Sequence, residues 1–226
     1  MEEQGVLELL KSVEAVIAND HLVYTSGRHG SAYVNKDAVY PHTKQISLLC
    51  EEIAYQFAGA GVDVVIAPAV GGLILSQWVA HHLSEMTGYE VLGVYAEKEK
   101  VAIPDPEGKD RKCFFETGDF VIKRGYDKLI PGKRVLVVED VVTTGGSAKK
   151  VVGAVRKLGG EVVGLSVLCN RGGVTPENVA DPPELFALVN VTMDSWPEEE
   201  CPLCKQGFPV NTDVGKGREF LAKKKS

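Results

Sequence analysis

Two adjacent acids, Glu139 and Asp140, stand between an apolar stretch and a turn of small residues. The apolar stretch, Val135 to Val138, predicts a buried strand that ends before the acids, and the turn Thr143-Thr-Gly-Gly-Ser147 precedes a helix predicted over residues 148–158. In an open α/β sheet, ligands bind beyond the carboxyl ends of the strands. Backbone N–H groups in a turn at a helix N-terminus bind an anion without a basic side chain. The order of these residues therefore predicts carboxylates beside a phosphate-binding turn.

A second turn of small residues, Pro68-Ala-Val-Gly-Gly72, has an equivalent place in the chain. It follows a strand predicted over residues 64–67 and precedes a helix predicted over residues 73–86. Gly71 and Gly72 would let the backbone approach a ligand closely. A Gly-Gly pair between strand and helix is also typical of a tight connection, so its interpretation as a binding turn depends on the presence of the first turn.

Three basic residues follow other predicted strands. Lys98 and Lys100 come after the strand predicted over residues 91–95, where their charges could meet a polyanion or remain solvated. Arg171 follows the strand predicted over residues 162–168, and a guanidinium there offers a planar, two-pronged grip on a carboxylate. All three are candidates for binding an anionic substrate.

The predicted elements alternate between strand and helix, which indicates an α/β fold with a doubly wound parallel sheet covered on both faces. Amphipathic helices are predicted over residues 6–18 and 43–58, and the last strand over residues 185–191. The span 99–124 lacks a clear hydrophobic periodicity. It is interpreted as a mobile loop and a hairpin with Thr117-Gly118 near the tip of the hairpin. Long irregular spans inside compact domains are often active-site lids.

Together these elements resemble the type I phosphoribosyltransferases, and most closely the orotate phosphoribosyltransferases. The resemblance runs from about Leu22 to Cys204. It is carried by Thr25-Ser-Gly-Arg-His29, the Gly71-Gly72 turn, Glu97-Lys98-Glu99, the 139–147 motif, Arg171 and Cys201-Pro-Leu-Cys204. The family's fold implies one domain over residues 1–226, with a core at about 43–191 and a small hood from about 1–42 and 192–226.

The resemblance also implies a reaction and the residues that perform it. The 5-phosphoribosyl group of phosphoribosyl pyrophosphate (PRPP) would pass to orotate, giving orotidine 5'-monophosphate and pyrophosphate on the route to UMP. Asp140, Glu139 and Lys98 would be catalytic, and Thr143 and Arg171 would contact orotate. Mg²⁺ would be the cofactor, held through PRPP, with Asp140 as a candidate protein ligand. The residues expected to contact PRPP are Ala69, Val70, Gly71, Gly72, Lys98, Lys100, Glu139, Asp140, Val141, Val142, Thr143, Thr144, Gly145, Gly146 and Ser147.

The chain departs from the family pattern at two places. Many members carry a Lys-x-His arrangement in the catalytic loop, but no histidine follows His82 here. Many also carry a lysine where this chain has Thr25. Two alternatives therefore stay open: transfer to another base such as a purine, or a PRPP-binding regulatory protein without catalysis. A phosphate-binding loop of the G-x-x-x-x-G-K-[ST] type does not occur in the sequence.

Composition and net charge limit the kinds of partner that the protein is expected to bind. A net charge of −6 argues against nucleic acid, whose phosphates need clustered Lys and Arg. No apolar run approaches the roughly 20 residues of a membrane span, so no membrane partner is expected. The start, Met1-Glu2-Glu3-Gln4, lacks the features of a signal peptide, and we expect a cytoplasmic protein. A homodimer is implied by the resemblance alone.

The five cysteines do not indicate a disulfide framework in such a protein. Cys201-Pro-Leu-Cys204 is a single C-x-x-C pair. A zinc site needs two further ligands, and the sequence shows no second pair of this kind. Metal or redox chemistry at Cys201 and Cys204 stays an open question at this point.

Overall fold

The computed structural model describes residues 1–24, 26–104, 112–191 and 194–224, without the side chains of Pro104 and Lys112. Thr25 and residues 105–111 of the predicted loop therefore lie outside the described part. The chain forms two compact units. We name Met1–Gln45 with Val191–Ser226 the terminal unit, and Ile46–Asn190 the core unit. The expectation of one domain over residues 1–226 stays a prediction.

Strands and helices alternate along most of the chain. The strands are β1 (Val16–Val23), β2 (His29–Val34), β3 (Val64–Pro68), β4 (Leu92–Pro104), β5 (Lys112–Val121), β6 (Arg134–Val142), β7 (Glu161–Asn170), β8 (Leu185–Asn190) and β9 (Ser195–Trp196). The helices are α1 (Glu3–Ser12), α2 (Lys36–Val39), α3 (Thr43–Phe57), α4 (Leu73–Thr87), α5 (Gly146–Lys157), α6 (Pro202–Lys205) and α7 (Gly217–Lys224).

The core unit holds a six-stranded sheet in the order β5-β4-β3-β6-β7-β8. Every neighbouring pair is parallel except β4 with β5, which is antiparallel. Strands buried on both faces need apolar runs, and β3 is buried along its whole length. The connections from β3 to β4 and from β6 to β7 run in opposite directions across the sheet. Because such connections are right-handed, α4 and α5 lie on opposite faces of the sheet. The predicted doubly wound α/β sheet is confirmed.

The terminal unit holds a smaller sheet in the order β1-β2-β9, all antiparallel. The helix predicted over residues 6–18 is wrong in its second half, because α1 ends at Ser12 and β1 begins at Val16. Glu14 has a positive φ of 55°, which breaks the helix, and Val16 and Ile17 pair with β2 instead. Pairing across the hairpin overrides an apolar spacing that also fits a helix.

The span 99–124, predicted as a mobile loop and a hairpin, consists largely of two paired strand arms, so the hairpin is confirmed. Strands β4 and β5 pair from Glu97 opposite Val121 to Pro104 opposite Lys112. Thr117 and Gly118 lie inside β5, beside a register irregularity, and not near a hairpin tip as predicted. Cross-strand hydrogen bonds pair the backbone N–H and C=O groups of both arms. They explain why these residues form strands although the sequence shows no periodic apolar pattern. Mobility of this region stays a prediction.

The apolar core of the core unit lies between the sheet and its helices. Most of its members come from β3, β4, β6, β7 and α5, and Ile66, Val137, Val151 and Leu165 among them are fully buried. Among the described residues, no helix combines the length and the apolar character that a membrane crossing requires.

Candidate active site

The turn between β6 and α5 forms a small cavity at the carboxyl end of the sheet. The cavity has a volume of about 190 Å³ and is lined by Glu139, Val141, Val142, Thr143, Thr144, Gly145, Gly146 and Ser147. The first N–H groups of a helix have no partner within the helix and carry a partial positive charge. The start of α5 at Gly146 therefore gives this cavity the properties of an anion site.

Gly145 is the residue that the geometry of this turn requires. Its φ is +74°, in the left-handed region that glycine adopts without strain. A Cβ at this position would also collide with side chains of Val174 and Val179. The turn can therefore fold tightly over the residues that follow β6 only with glycine at this point.

Glu139 and Asp140 lie within β6, because the strand runs to Val142. The prediction that the strand ends before the acids is wrong, because both acids lie near the carboxyl end of β6. Both are largely buried, with exposed fractions of 9% for Glu139 and 7% for Asp140. Glu139 lines the small cavity. The carboxylate of Asp140 accepts a hydrogen bond from the N–H of Val141 at 2.5 Å.

A larger cavity of about 670 Å³ adjoins the turn after β3. It is lined by Ala69, Val70, Leu73, Tyr95, Glu97, Lys98, Lys100, Glu116, Lys123 and Arg124. The structure thus brings part of the second predicted turn together with both predicted lysines. Lys98 lies inside β4, opposite Phe120 in β5, and not at the root of a loop.

The positive charges in the larger cavity are partly balanced by carboxylates. The ammonium nitrogens of Lys98 and Lys100 lie 3.3 and 3.4 Å from the carboxylate oxygens of Glu116. Hydrogen bonds from Lys98 first, and from Lys100, lower the pKa of Glu116. Arg124 forms an ion pair with Glu97. An incoming polyanion would therefore compete with carboxylates for these cations.

Sequence reasoning missed Glu116, Lys123 and Arg124 as residues of this cavity. Glu116 reaches it only because β5 pairs back on β4, with Glu116 opposite Lys100. Lys123 and Arg124 follow the end of β5 and resemble ordinary solvated charges in the sequence. The register of the hairpin is the missing information, and no local motif encodes it.

Close packing requires a glycine at position 72 of the second turn. A Cβ on Gly72 would lie 2.7 Å from the Cβ of Ala67 and 3.3 Å from the carbonyl oxygen of Val138. The turn therefore packs directly on β3 and β6, while Ala69 and Val70, joined by a cis peptide bond, border the cavity. Gly72 serves this close approach of backbone to sheet.

The two residues predicted to contact a base are hydrogen-bonded to each other. The guanidinium of Arg171 donates to the hydroxyl of Thr143 at 3.0 Å, and the N–H of Arg171 donates to the carbonyl of Val142 at 2.9 Å. These bonds hold the residue after β7 against the turn at residues 143–147. The sequence placed Thr143 and Arg171 28 positions apart, and parallel pairing of β6 with β7 unites them.

Both turns border the point at which the order of the sheet reverses. The chain moves from β3 to β4 on one side and from β6 to β7 on the other, while β3 and β6 are neighbours. Ligands of doubly wound sheets bind in the crevice at such a reversal. The two cavities and their charged residues therefore form one candidate active site on the core unit.

Comparison with known proteins agrees with this geometry. A family model of the phosphoribosyl transferase domain matches residues 37–203. The orotate phosphoribosyltransferase of Pelotomaculum thermopropionicum is 38% identical over 216 residues, which is 93% of this chain and 96% of that protein.

Solved structures show the same fold. Orotate phosphoribosyltransferase from Aeropyrum pernix has a TM-score of 0.57 and 26% identity, covering 82% of this chain and 93% of that one. Adenine phosphoribosyltransferase from Rhodothermus marinus has a TM-score of 0.54 and 22% identity, covering 83% and 99%. The extent of the family match and of the curated relative shows that the chain belongs to the phosphoribosyltransferase family.

Proposed function

We propose that the protein is a Mg²⁺-dependent orotate phosphoribosyltransferase, which joins N1 of orotate to C1 of PRPP as pyrophosphate leaves. The observation that carries the proposal is the turn at residues 143–147, which opens α5 directly after the buried acids Glu139 and Asp140. This turn places an anion site next to two carboxylates at the carboxyl end of one strand, β6. The relatives that share most of the chain are orotate phosphoribosyltransferases, and this supports orotate as the base.

The turn at residues 143–147 would bind the 5-phosphate of PRPP. Its cavity of about 190 Å³ suits a single phosphate group, and the partial charge of the α5 N-terminus favours an anion. The hydroxyls of Thr143, Thr144 and Ser147 add neutral donors to the backbone N–H groups. Binding through backbone and hydroxyl groups leaves the lysines available for the pyrophosphate.

The larger cavity would bind the pyrophosphate of PRPP. Ala69 and Val70 offer backbone groups, and Lys98 and Lys100 offer positive charge. Because Glu116 already balances both lysines, the substrate must displace that carboxylate to gain their full attraction. Glu116 thereby limits the affinity for the pyrophosphate, and it also allows the product to leave.

The acids would act on the ribose. Displacement at an anomeric carbon passes through a transition state that resembles an oxocarbenium ion, with positive charge on the ring. Two largely buried carboxylates beside that ring would stabilise the charge more strongly than exposed ones, because the surroundings screen them less. Asp140 and Glu139 would also accept hydrogen bonds from the ribose hydroxyls. The acids therefore both orient the sugar and stabilise its cationic form.

The donor set suits Mg²⁺ brought in with PRPP. Mg²⁺ prefers oxygen ligands and binds through one or two carboxylates together with substrate phosphates. Glu139, which lines the cavity, and the adjacent Asp140 offer such oxygens. When bound, the ion would neutralise the charge of the departing pyrophosphate.

Arg171 would recognise the base. Orotate carries a carboxylate that a guanidinium can pair with, and a purine carries none. The hydrogen bond from Arg171 to Thr143 positions the guanidinium beside the phosphate-binding turn. Similarity of fold to an adenine phosphoribosyltransferase does not determine which base is bound. In this proposal the Arg171 side chain determines the specificity for orotate.

The family resemblance further supports a cytoplasmic homodimer as part of the proposal. The mass of the protein in solution, measured by light scattering after size-exclusion chromatography, tests the dimer.

Replacing Asp140 by Asn should lower kcat for orotate by about 10²–10³-fold, the range for loss of one preorganised electrostatic group. The amide keeps the shape but removes the negative charge that faces the cationic sugar. The measurement is loss of orotate absorbance with PRPP and Mg²⁺. The control is Asp181→Asn, at an exposed aspartate in the same unit, which should retain wild-type turnover. Near-normal activity of Asp140→Asn would contradict the role of the acid pair.

Replacing Glu116 by Gln should lower the KM for PRPP by up to about fivefold, the range for one exposed ion-pair network. The change releases Lys98 and Lys100 from their carboxylate partner, so both can attract the pyrophosphate. The matched control is Glu161→Gln, which breaks an exposed ion pair with Arg134 elsewhere in the core unit. A raised KM in Glu116→Gln would show that the carboxylate orders the lysines for binding and does not compete with substrate.

Replacing Arg171 by Gln should raise the KM for orotate by about 10- to 100-fold, since a hydrogen bond to a charged group is lost. The KM for PRPP should change much less. Wild-type enzyme should consume orotate in preference to adenine, hypoxanthine and guanine under the same conditions. Preferred turnover of a purine by the wild type would keep the PRPP site and refute the role of Arg171.

A further inference from the structure

Two histidines and two cysteines of the terminal unit meet at one point. His21 lies in β1 and His29 begins β2. Cys201 directly precedes α6, and Cys204 lies within it. The four atoms that could bind a metal, one from each side chain, all lie within 4.8 Å of one another. Cys201 and His21 are 180 positions apart in sequence, so only the fold unites them.

The distances from the histidine nitrogens to the cysteine sulfurs are close to those of tetrahedral zinc, while the two nitrogens lie somewhat nearer to each other. Nε2 of His21 and Nδ1 of His29 are 2.9 Å apart. Nε2 of His21 lies 3.6 Å from both sulfurs, and Nδ1 of His29 lies 3.3 Å from the sulfur of Cys204. Bonds of about 2.0–2.1 Å to nitrogen and about 2.3 Å to sulfur put ligand atoms of a tetrahedron roughly 3.3–3.8 Å apart. The side chains are thus almost placed for coordination.

A hydrogen bond from His21 fixes its ring in the form that a metal requires. Nδ1 of His21 lies 2.7 Å from the carbonyl oxygen of Phe208. A carbonyl only accepts, so Nδ1 carries the proton and Nε2 of the neutral ring presents a lone pair to the cluster. Such a bond from the outer nitrogen to a carbonyl is the usual support of a metal-binding histidine.

Hydrogen bonds alone satisfy this cluster poorly. Nε2 of His21 has one lone pair, yet His29 and both cysteines approach it. Nδ1 of His29 likewise lies close to both Nε2 of His21 and the sulfur of Cys204. A cation accepts a lone pair from all four side chains together. Two thiolates would also balance the charge of a divalent ion, so the buried site would be neutral.

We propose that His21, His29, Cys201 and Cys204 bind one Zn²⁺ ion in a closed, tetrahedral structural site. The ligand set of two cysteines and two histidines, with two residues between the cysteines, is that of structural zinc sites. His21, His29 and Cys201 are at most 1% exposed and Cys204 is partly buried. Four protein ligands fill a tetrahedral ion, so no position stays open for a substrate. The ion is therefore structural and takes no part in a reaction.

The ion would join the two segments that make up the terminal unit. That unit consists of Met1–Gln45 and Val191–Ser226, which the sequence separates by the whole core unit. Among the described residues, the pairing of β2 with β9 covers two residue pairs. Small units with a limited core commonly depend on a metal or a disulfide. Zinc would bind β1 and β2 from the first segment and α6 from the second.

This inference is independent of the proposed function, because all four ligands belong to the terminal unit and the proposed PRPP site belongs to the core unit. The full-length protein should contain close to one zinc per chain when it is produced with zinc and purified without chelators. The measurement is inductively coupled plasma mass spectrometry. Cys204→Ser and His29→Asn should each lose most of the metal. Cys113→Ser and His81→Asn, outside the cluster, should keep it.

A second measurement guards against variants that do not fold. Wild-type protein stripped of zinc and loaded with Co²⁺ should show thiolate-to-cobalt charge transfer and the visible absorption of a tetrahedral site. Added Zn²⁺ should remove both signals and raise the midpoint of thermal unfolding. Wild-type protein with little zinc and no cobalt spectrum would overturn the proposal, and so would a disulfide between Cys201 and Cys204 in freshly purified protein.

Discussion

The parallel pairing of β3 with β6 is the interaction on which the candidate active site depends. Val64, Val65 and Ile66 pair with Val135, Leu136 and Val137, and all six side chains are fully buried. Because these strands are neighbours while their helices leave in opposite directions, both following turns open into one crevice. One turn offers helix N–H groups and acids, and the other lies beside lysines. The chemistry of the site is a consequence of this strand order.

Opposite charges within the crevice explain how one site could hold a polyanion and a cationic sugar together. The helix start and the hydroxyls would bind a phosphate without a charged side chain, and the positive charges of the larger cavity come from Lys98, Lys100, Lys123 and Arg124. Glu116 and Glu97 balance part of that charge in the free protein. The buried acids Glu139 and Asp140 stand on a different strand from the lysines. This separation lets positive and negative charge face different parts of one substrate.

The sequence predicted the elements whose signal is local, and missed those that depend on pairing. The apolar run before Glu139, the small-residue turn and the following helix were all evident from neighbouring residues. A hairpin was predicted after Lys98, but its tip was misplaced, because the register comes from cross-strand hydrogen bonds between β4 and β5. Likewise, Cys201 and Cys204 had no visible partners in the sequence, since His21 and His29 reach them only through the fold of the terminal unit.

The most direct test is a crystal structure of the protein with PRPP and Mg²⁺. We expect the 5-phosphate on the backbone N–H groups of residues 143–147 and the ribose hydroxyls against Glu139 and Asp140. The pyrophosphate should lie between the turn after β3 and the two lysines, Lys98 and Lys100. A 5-phosphate bound elsewhere, with the turn before α5 unoccupied, would contradict the assignment of this strand, turn and helix as the substrate site.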